Sequence, residues 1–212
     1  MRTLSQALTQ KGLELTLAAG LCALSVTAAH ASPEVGAPAP AFTGSATTGE
    51  TISLADQRGK TVVLEWTNHD CPYVRKHYGS GNMQALQKEA TADGVVWLSV
   101  ISSAPGTQGY VEAAEADQLT ASRDAAPTAV ILDPEGDIGR AYGARTTPHM
   151  YVIDPDGILR YMGGIDDKPS SRPSSLEGAN NFVRAALADM KAGREVATPV
   201  ARPYGCSVKY RS

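Results

Sequence analysis

The feature that most constrains the fold is an apolar, β-branched run that ends shortly before a cysteine and a proline. Residues 61–66 read Thr-Val-Val-Leu-Glu-Trp, a pattern that predicts a buried central strand. Pro72 directly follows Cys71, and because proline is favoured in the first turn of a helix, we expect a helix to begin there. The chain therefore places Cys71 between the end of a buried strand and the start of a helix.

The remaining pattern alternates between short apolar strands and longer helical segments. We predict strands at 95–101 and 128–132, a hairpin of 150–154 with 158–162, and helices over 72–78, 83–90, 109–122, 138–142 and 176–192. Strands that alternate with helices and end in a hairpin and a helix predict an α/β sandwich. A lead-in rich in Pro, Ala and Gly precedes the sandwich at 32–42, and a Pro-rich tail follows it.

The N-terminus has the layout of a secretory signal peptide. Arg2 and Lys11 precede an apolar, small-residue stretch at 15–29, and Ala29-His30-Ala31 offers a cleavage site. A retained membrane helix is the alternative, which we disfavour because a span takes roughly 20 apolar residues. We therefore predict cleavage after Ala31, a periplasmic or secreted protein, and no membrane contact after cleavage.

Composition excludes one class of partner and limits the cysteine chemistry. The formal net charge is −3 and the chain has no long basic run, so we expect no nucleic-acid partner. We predict a signal peptide at 1–31, a domain at 32–193 and a tail at 194–212, which leaves Cys71 in the domain and Cys206 in the tail. In an oxidising compartment a disulfide between these two cysteines would persist, either as a permanent structural bond or as a redox-active pair. We expect no cofactor and no resident metal.

The predicted position of Cys71 favours a reactive thiol. The first turn of a helix presents free N–H groups and a partial positive charge, which lower the pKa of a cysteine there. Arg75, one turn further on, adds positive charge. We therefore expect an accessible thiolate that attacks disulfides or peroxides, whereas the alternative is an inert buried cysteine.

Several segments together resemble the thioredoxin superfamily, in its exported redoxin or AhpC/TSA (peroxiredoxin-like) branch. They are the strand at 62–66, Cys71-Pro72-Tyr73-Val74, Thr147-Pro148, the turn Asp154-Pro155-Asp156-Gly157, and the longer strings at 71–78 and 205–210. The resemblance spans residues 35–192. It implies a thioredoxin-like three-layer sandwich with a central mixed sheet, a cis peptide bond before Pro148, and a thiol oxidoreductase whose partners are protein or small-molecule thiols and disulfides, with peroxides as a further candidate.

The departures from the family pattern are equally informative. Val74 stands at the second cysteine of the C-x-x-C motif, so the usual local disulfide is excluded. Asn68 stands where peroxiredoxins have Thr or Ser, and Pro148 stands where they have Arg. The peroxide-binding apparatus is therefore incomplete or rebuilt, with Arg145 as a nearby candidate for the missing arginine. By analogy with thioredoxins, the cis-proline leaves a backbone edge free, and we expect Thr147, Pro148 and Pro72 to dock a substrate polypeptide there.

Glu65 is a candidate for proton transfer. It lies in the predicted buried strand, six residues before Cys71, where the thioredoxin family places a buried acid beneath the active site. Burial raises the pKa of a carboxyl group and suits it to moving protons for a thiol. A strand-end carboxylate paired with Lys60 or with a residue of the tail is the alternative.

Three histidines accompany Cys71 in the predicted fold. His69 and His149, with Arg75, are candidates for tuning the thiolate, and each histidine is alternatively an ordinary polar residue. His69, His77 and His149 with both cysteines also permit a copper-binding protein without enzymatic activity. That alternative fails to match the C-x-x-x-C motif of copper chaperones with the same fold, because position 75 is Arg. Asp166 and Asp167 are expected to be a solvated loop pair, and the alternative is that they border the active-site face.

Cys206 is the remaining candidate for the chemistry. About fourteen residues separate it from the last predicted helix, so a flexible tail is long enough to bring it to Cys71. Gly205 beside it permits a close backbone approach. The sequence leaves two interpretations open, a resolving cysteine that forms a disulfide with Cys71 or a static tether of the tail.

Overall fold

The computed structural model describes residues 32–211. The predicted signal peptide at 1–31 lies outside the described residues. In chain order the elements are β1 (Thr43–Ala46), β2 (Thr51–Ser53), β3 (Val62–Trp66), α1 (Pro72–Gly79), α2 (Asn82–Ala92), β4 (Val96–Ile101), α3 (Ala113–Ser122), β5 (Ala129–Leu132), α4 (Asp137–Ala141), β6 (Thr146–Thr147), β7 (His149–Ile153), β8 (Leu159–Gly163), α5 (Phe182–Lys191) and β9 (Cys206–Ser207).

Seven of the strands form one mixed sheet in the order β2-β1-β5-β4-β3-β7-β8. Strands β3, β4 and β5 are parallel to one another, whereas β7 runs antiparallel to β3 and closes the sheet with β8. A separate two-stranded ladder joins β6 to β9, the strand of the C-terminal tail. The predicted buried strand is thus confirmed as an interior strand of a mixed sheet, between β4 and β7.

The side chains of β3 alternate between the two faces of the sheet. Val62, Leu64 and Trp66 enter one apolar core, which also contains α4 residues such as Ile138. Val63 enters the other core, which contains α1, α2 and α5. Both faces of the sheet are covered by helices, so the expected thioredoxin-like three-layer sandwich is confirmed.

The starts of two helices differ from the sequence prediction by four residues or more. The predicted helix over 176–192 is wrong at its start, because α5 begins only at Phe182. The Asn181 side chain accepts a hydrogen bond from the Arg184 N–H at 2.9 Å and caps this start, while Gly178 has a φ of +66° that a helix does not admit. Helix α3 likewise begins at Ala113, not at residue 109.

The tail packs along the domain on both sides of Cys206. The Ala201 N–H donates to Met162 O at 3.1 Å, and the Val208 N–H donates to Arg145 O at 3.0 Å. Beyond β9, the Tyr210 hydroxyl donates to Ala144 O at 2.7 Å. The expected flexible tail is therefore wrong for this structure. Within residues 32–211, no helix has both the length and the apolar character needed to cross a membrane.

Candidate active site

Cys71 lies where the sequence predicts it, between β3 and α1. It is the N-cap residue of α1 and Pro72 is the first helical residue. The Cys71 N–H donates to Asn68 O at 3.0 Å, and its own carbonyl accepts from the Arg75 N–H at 2.9 Å. Cys71 therefore lies at the start of the helix, and the Val74 N–H of the first turn is among the groups that lower the pKa of its thiol.

The expected accessibility of this sulfur is wrong. The exposed fraction of Cys71 is 0%. Its thiol donates to Thr147 O at 3.0 Å, from the segment that precedes Pro148, and Cys206 of the tail lies beside it. Cys71 is therefore covered by the protein's own tail, and an oxidant reaches it only when that cover opens.

Cys206 meets Cys71 through the ladder of β6 and β9. Thr147 is paired with Cys206, so the residue whose carbonyl contacts Cys71 also fixes the tail cysteine. Gly205 permits this approach, because a Cβ there would lie 2.0 Å from Thr147 O and its φ is +137°. Both cysteines are reduced in this structure, and Cys206 is partly exposed.

The pKa values of the two thiols are shifted in opposite directions. Burial raises the pKa of Cys71, but hydrogen bonds with the Cys206 and Thr147 side chains and with the N–H groups of Cys206 and Val74 outweigh it and lower that pKa. Burial, the hydrogen bond to Cys71 and its charge raise the pKa of Cys206 to about 11. The pair thus favours one thiolate and one protonated thiol that stabilises it.

The backbone edge next to the cis-proline is occupied. The Thr147–Pro148 bond is cis, as expected. The edge that the sequence analysis expects to be free is instead paired with β9, so that expectation is wrong in this structure. Docking of a polypeptide by Thr147, Pro148 and the exposed Pro72 stays a prediction and requires the tail to leave.

The predicted tuning residues lie near Cys71 but make their contacts elsewhere. Arg75 pairs with Asp70 at 2.7 Å, and His69 Nε2 lies 3.5 Å from the same carboxylate. His149 Nδ1 accepts from the Arg145 N–H at 3.3 Å, and burial and Arg145 lower its pKa to about 3. None of the three is among the groups that act on the pKa of Cys71. A neutral His149 supplies no positive charge to the thiolate.

Glu65 is fully buried on β3, as predicted, on the sheet face that packs against α1 and α2. Its carboxylate accepts from four neutral donors, which are Tyr78 Oη at 2.8 Å, Trp97 Nε1 at 2.9 Å, Gln87 Nε2 at 3.0 Å and Ser99 Oγ at 3.2 Å. These contacts tie β3 to β4, α1 and α2. Proton transfer from Glu65 to Cys71 stays a prediction.

A second buried polar cluster was missed by the sequence analysis. Lys76, His77 and Asp166 are each at most 3% exposed, so the expectation of a solvated Asp166 is wrong. Tyr204 of the tail completes the cluster, with its hydroxyl donating to Asp166 Oδ1. One sequence signal was available for it: His77 follows the apolar Val74 by three residues, which places it on the buried face of α1.

The histidines and cysteines do not converge on one point. Within residues 32–211, no group of three or more His, Cys, Asp or Glu side chains is placed to hold a metal ion. His77 faces Tyr204 and Asn82, whereas His149 faces Tyr151 and Arg145. The geometry of the described residues therefore gives the copper alternative no support.

The chain is similar to several known proteins. A thioredoxin peroxidase from Fasciola hepatica is 26% identical over 159 residues, which cover 71% of this chain and 79% of that protein. A solved hypothetical protein from Sinorhizobium meliloti superposes with a TM-score of 0.73 at 20% identity, over 86% of this chain and 97% of its own. A candidate thiol:disulfide interchange protein, DsbE, from Chlorobium tepidum has a TM-score of 0.50 at 25% identity, over 62% and 85%.

The family itself follows from a match over more than half of the chain. The model of the AhpC/TSA family matches residues 35–162, which include β3, Cys71, the cis-proline and most of the closing hairpin. Thiol oxidoreductases and thiol peroxidases make up this family. The chain belongs to the AhpC/TSA family.

Proposed function

We propose that this protein is a thiol oxidoreductase in which Cys71 is the nucleophile and Cys206 is the resolving cysteine. The observation that carries the proposal is the position of Cys206, which pairs with Thr147, the residue whose carbonyl accepts from the Cys71 thiol. With the two thiols side by side, the pKa of Cys71 is lowered and that of Cys206 is raised. A thiolate attacks a disulfide or a peroxide, whereas a neighbouring protonated thiol is suited to the second step.

The reaction with a disulfide balances as two exchanges. The Cys71 thiolate attacks one sulfur of the substrate, forms a mixed disulfide and releases the first substrate thiolate. Cys206 then loses its proton to solvent and attacks Cys71 Sγ, which expels the second substrate thiol and leaves a Cys71–Cys206 disulfide. Two protein thiols are oxidised, and one substrate disulfide is reduced to two thiols.

A thiol peroxidase is the second candidate, and the occupied edge beside Pro148 favours it. Because β9 fills that edge, a small oxidant needs less opening of the tail than a docked polypeptide does. In this case Cys71 attacks a peroxide oxygen, becomes a sulfenic acid and releases water or an alcohol. Condensation with the Cys206 thiol then releases water and gives the same disulfide.

The compartment proposed for this chemistry is the periplasm or the extracellular space. The N-terminal pattern supports export, and an oxidising compartment lets the Cys71–Cys206 disulfide persist. Partners would be protein or small-molecule thiols and disulfides, with peroxides for the second candidate. Determination of the N-terminus of the protein purified from its native source tests cleavage after Ala31.

The experiment that tests the main proposal is a redox titration with glutathione buffers. After an acid quench, peptide mass mapping of the wild type is expected to show a Cys71–Cys206 disulfide. The Cys206→Ser variant is expected to stop at glutathione bound to Cys71, and Cys71→Ser to form no intramolecular disulfide. Ser207→Ala, a change beside Cys206 that keeps both thiols, is the matched control. A wild type that forms no intramolecular disulfide at the most oxidising ratio would overturn the proposal.

Peroxide turnover separates the two candidates. With dithiothreitol as the reductant, the peroxidase candidate requires consumption of hydrogen peroxide that is lost in Cys71→Ser. A rate per thiol no faster than that of free cysteine would remove the peroxidase candidate and leave disulfide exchange.

A further inference from the structure

The buried cluster of Lys76, Asp166 and Tyr204 joins the two segments that carry the cysteines. Lys76 Nζ donates to Tyr204 Oη at 3.1 Å and lies 3.5 Å from Asp166 Oδ2. The Tyr204 hydroxyl donates to Asp166 Oδ1, and His77 Nε2 lies 3.3 Å from the same hydroxyl. One tail side chain thus makes three polar contacts inside the domain.

The cluster depends on the tail for its stability. Lys76 and Asp166 carry opposite charges at 1% and 3% exposure, and charges that are this deeply buried need partners. The Tyr204 ring also covers Lys76 Nζ, which lies 5.1 Å from the ring centroid, and packs edge-on against Tyr73 at 5.8 Å. If Tyr204 leaves, the two charges lose a hydrogen-bond partner and their cover.

Both cysteines are close to this cluster along the chain. Lys76 lies on α1, five residues after Cys71, and Tyr204 lies two residues before Cys206. Gly205, packed against the Thr147 backbone, is the single residue between Tyr204 and Cys206. A contact that fixes Tyr204 on α1 therefore fixes Cys206 relative to Cys71.

We propose that Lys76, Asp166 and Tyr204 are positioning residues that hold Cys206 against Cys71. This inference rests on the proposed function, in which the two cysteines form a disulfide. The cluster sets the fraction of time during which the tail lies over Cys71. It thereby controls both access to the thiolate and the effective concentration of the resolving thiol.

The test uses Tyr204→Phe, which keeps the ring and removes the three polar contacts of the hydroxyl. Tyr142→Phe is the matched control, because it also loses one phenol hydroxyl, which is bonded to Pro40 O at 2.8 Å and not to a tail residue. In the reduced protein, Cys71 is alkylated only when the tail lifts, so the rate of alkylation by iodoacetamide, measured by peptide mass mapping, reports the open fraction.

We expect Tyr204→Phe to raise the alkylation rate of Cys71 about tenfold, since hydrogen bonds to charged groups are among the stronger ones. Tyr142→Phe is expected to leave that rate within about twofold of the wild type. The equilibrium constant for the Cys71–Cys206 disulfide against glutathione is expected to fall in Tyr204→Phe, by up to about tenfold or 30 mV. A purely structural role would destabilise the oxidised and reduced proteins alike and leave this constant unchanged.

The outcomes separate this inference from the proposed function. Equal alkylation rates in Tyr204→Phe and the wild type, or an equal increase in both Tyr variants, would overturn the positioning role. A wild type without a Cys71–Cys206 disulfide would overturn the proposed function instead. In that event the alkylation rates of the two variants still decide whether the cluster holds the tail over Cys71.

Discussion

Glu65 and Asp166 are both buried carboxylates, but their partners differ in kind. The partners of Glu65 are neutral donors that belong to the core of the domain, on α1, α2 and β4. The partners of Asp166 are Lys76 and His77 of α1 and the Lys168 N–H, together with Tyr204 of the tail. The hydrogen bonds of Glu65 all come from the domain, whereas Asp166 also needs a hydrogen bond from the C-terminal tail.

The difference separates a residue that stabilises the domain from one that stabilises the docking of the tail. Removal of Glu65 leaves donors without an acceptor in the middle of the sheet, so its cost falls on global unfolding. Removal of Asp166 leaves a cation at the junction of α1 and the tail, where opening to solvent relieves the cost. We therefore expect Asp166, at the contact between α1 and the tail, to affect function, and Glu65 to affect mainly the stability of the domain.

The largest effect is expected for Glu65→Ala. The change removes an acceptor shared by four buried donors, and each unsatisfied donor costs about 1–3 kcal/mol. We therefore expect the free energy of unfolding to fall by about 4 kcal/mol or more, measured by denaturant titration. Glu65→Gln, which keeps one acceptor oxygen, serves as the control and is expected to lose less. A loss below about 1 kcal/mol in Glu65→Ala would contradict the claim that Glu65 stabilises the domain.

The next effect is expected for Asp166→Asn, which leaves Lys76 as a buried cation without its counter-ion. Breaking one partner of a buried pair costs about 3 kcal/mol or more. We expect this cost to appear as faster hydrogen exchange at the Ala201 and Val208 amides, which bond the tail to the domain, and not as faster exchange in the central strands.

The double variant Lys76→Met/Asp166→Asn sharpens that prediction. It removes both charges, so no unpaired ion remains, and we expect slower exchange of the tail amides than in Asp166→Asn alone. Equal exchange in the single and double variants would show that Lys76 and Asp166 are not coupled.

A third, smaller effect is a dependence of stability on pH through His77. Burial and the charge of Lys76 lower the pKa of His77 to about 4, although Asp166 acts in the opposite direction. The contacts fit a neutral ring, since the Asn82 amide faces Nδ1 at 2.8 Å and Tyr204 Oη faces Nε2. Between pH 6.5 and 4 the unfolded chain binds a proton that the folded protein does not, so stability falls as pH falls.

The size of this effect follows from the two pKa values. At pH 5 the unfolded-state value near 6.5 gives a loss of about 2 kcal/mol from His77, relative to pH 7 or above. His149 titrates in the same direction, so His77→Asn is expected to reduce the slope of stability against pH without abolishing it. Denaturant midpoints of both proteins between pH 5 and 7.5 measure the difference. Parallel curves would mean that the pKa of His77 in the folded protein does not differ from its value in the unfolded chain.

The sequence was sufficient for the parts of the site that depend on neighbouring residues. The run at 62–66 predicted β3, Pro72 predicted the start of α1, and the resemblance at Thr147-Pro148 predicted the cis bond. Gly205 was correctly expected to permit a close approach. Each of these depends on local conformation or on one family motif.

The burial of Cys71 and the second cluster depend instead on contacts between distant segments. Tyr204 lies 128 residues from Lys76 and 38 from Asp166, and the segment around each residue shows only ordinary polar patterning. Charge in a loop generally indicates solvent exposure, which is why Asp166 was placed outside the core. Only the path of the tail over Cys71 brings the three together, and no local periodicity encodes that path.

The smallest effect is expected for Arg75→Gln. Arg75 is an exposed cation, whereas the neighbouring Lys76 is buried. The Arg75 side chain is 63% exposed and pairs with Asp70, so solvent screens its charge from Cys71. We expect the free energy of unfolding to change by less than about 0.5 kcal/mol. The pKa of Cys71, followed by the ultraviolet absorbance of its thiolate, is expected to stay close to the wild-type value. A clear rise in that pKa would restore Arg75 as a tuning residue. It would also show that charge reaches the thiolate through solvent as well as through the buried contacts of Cys206 and the first turn of α1.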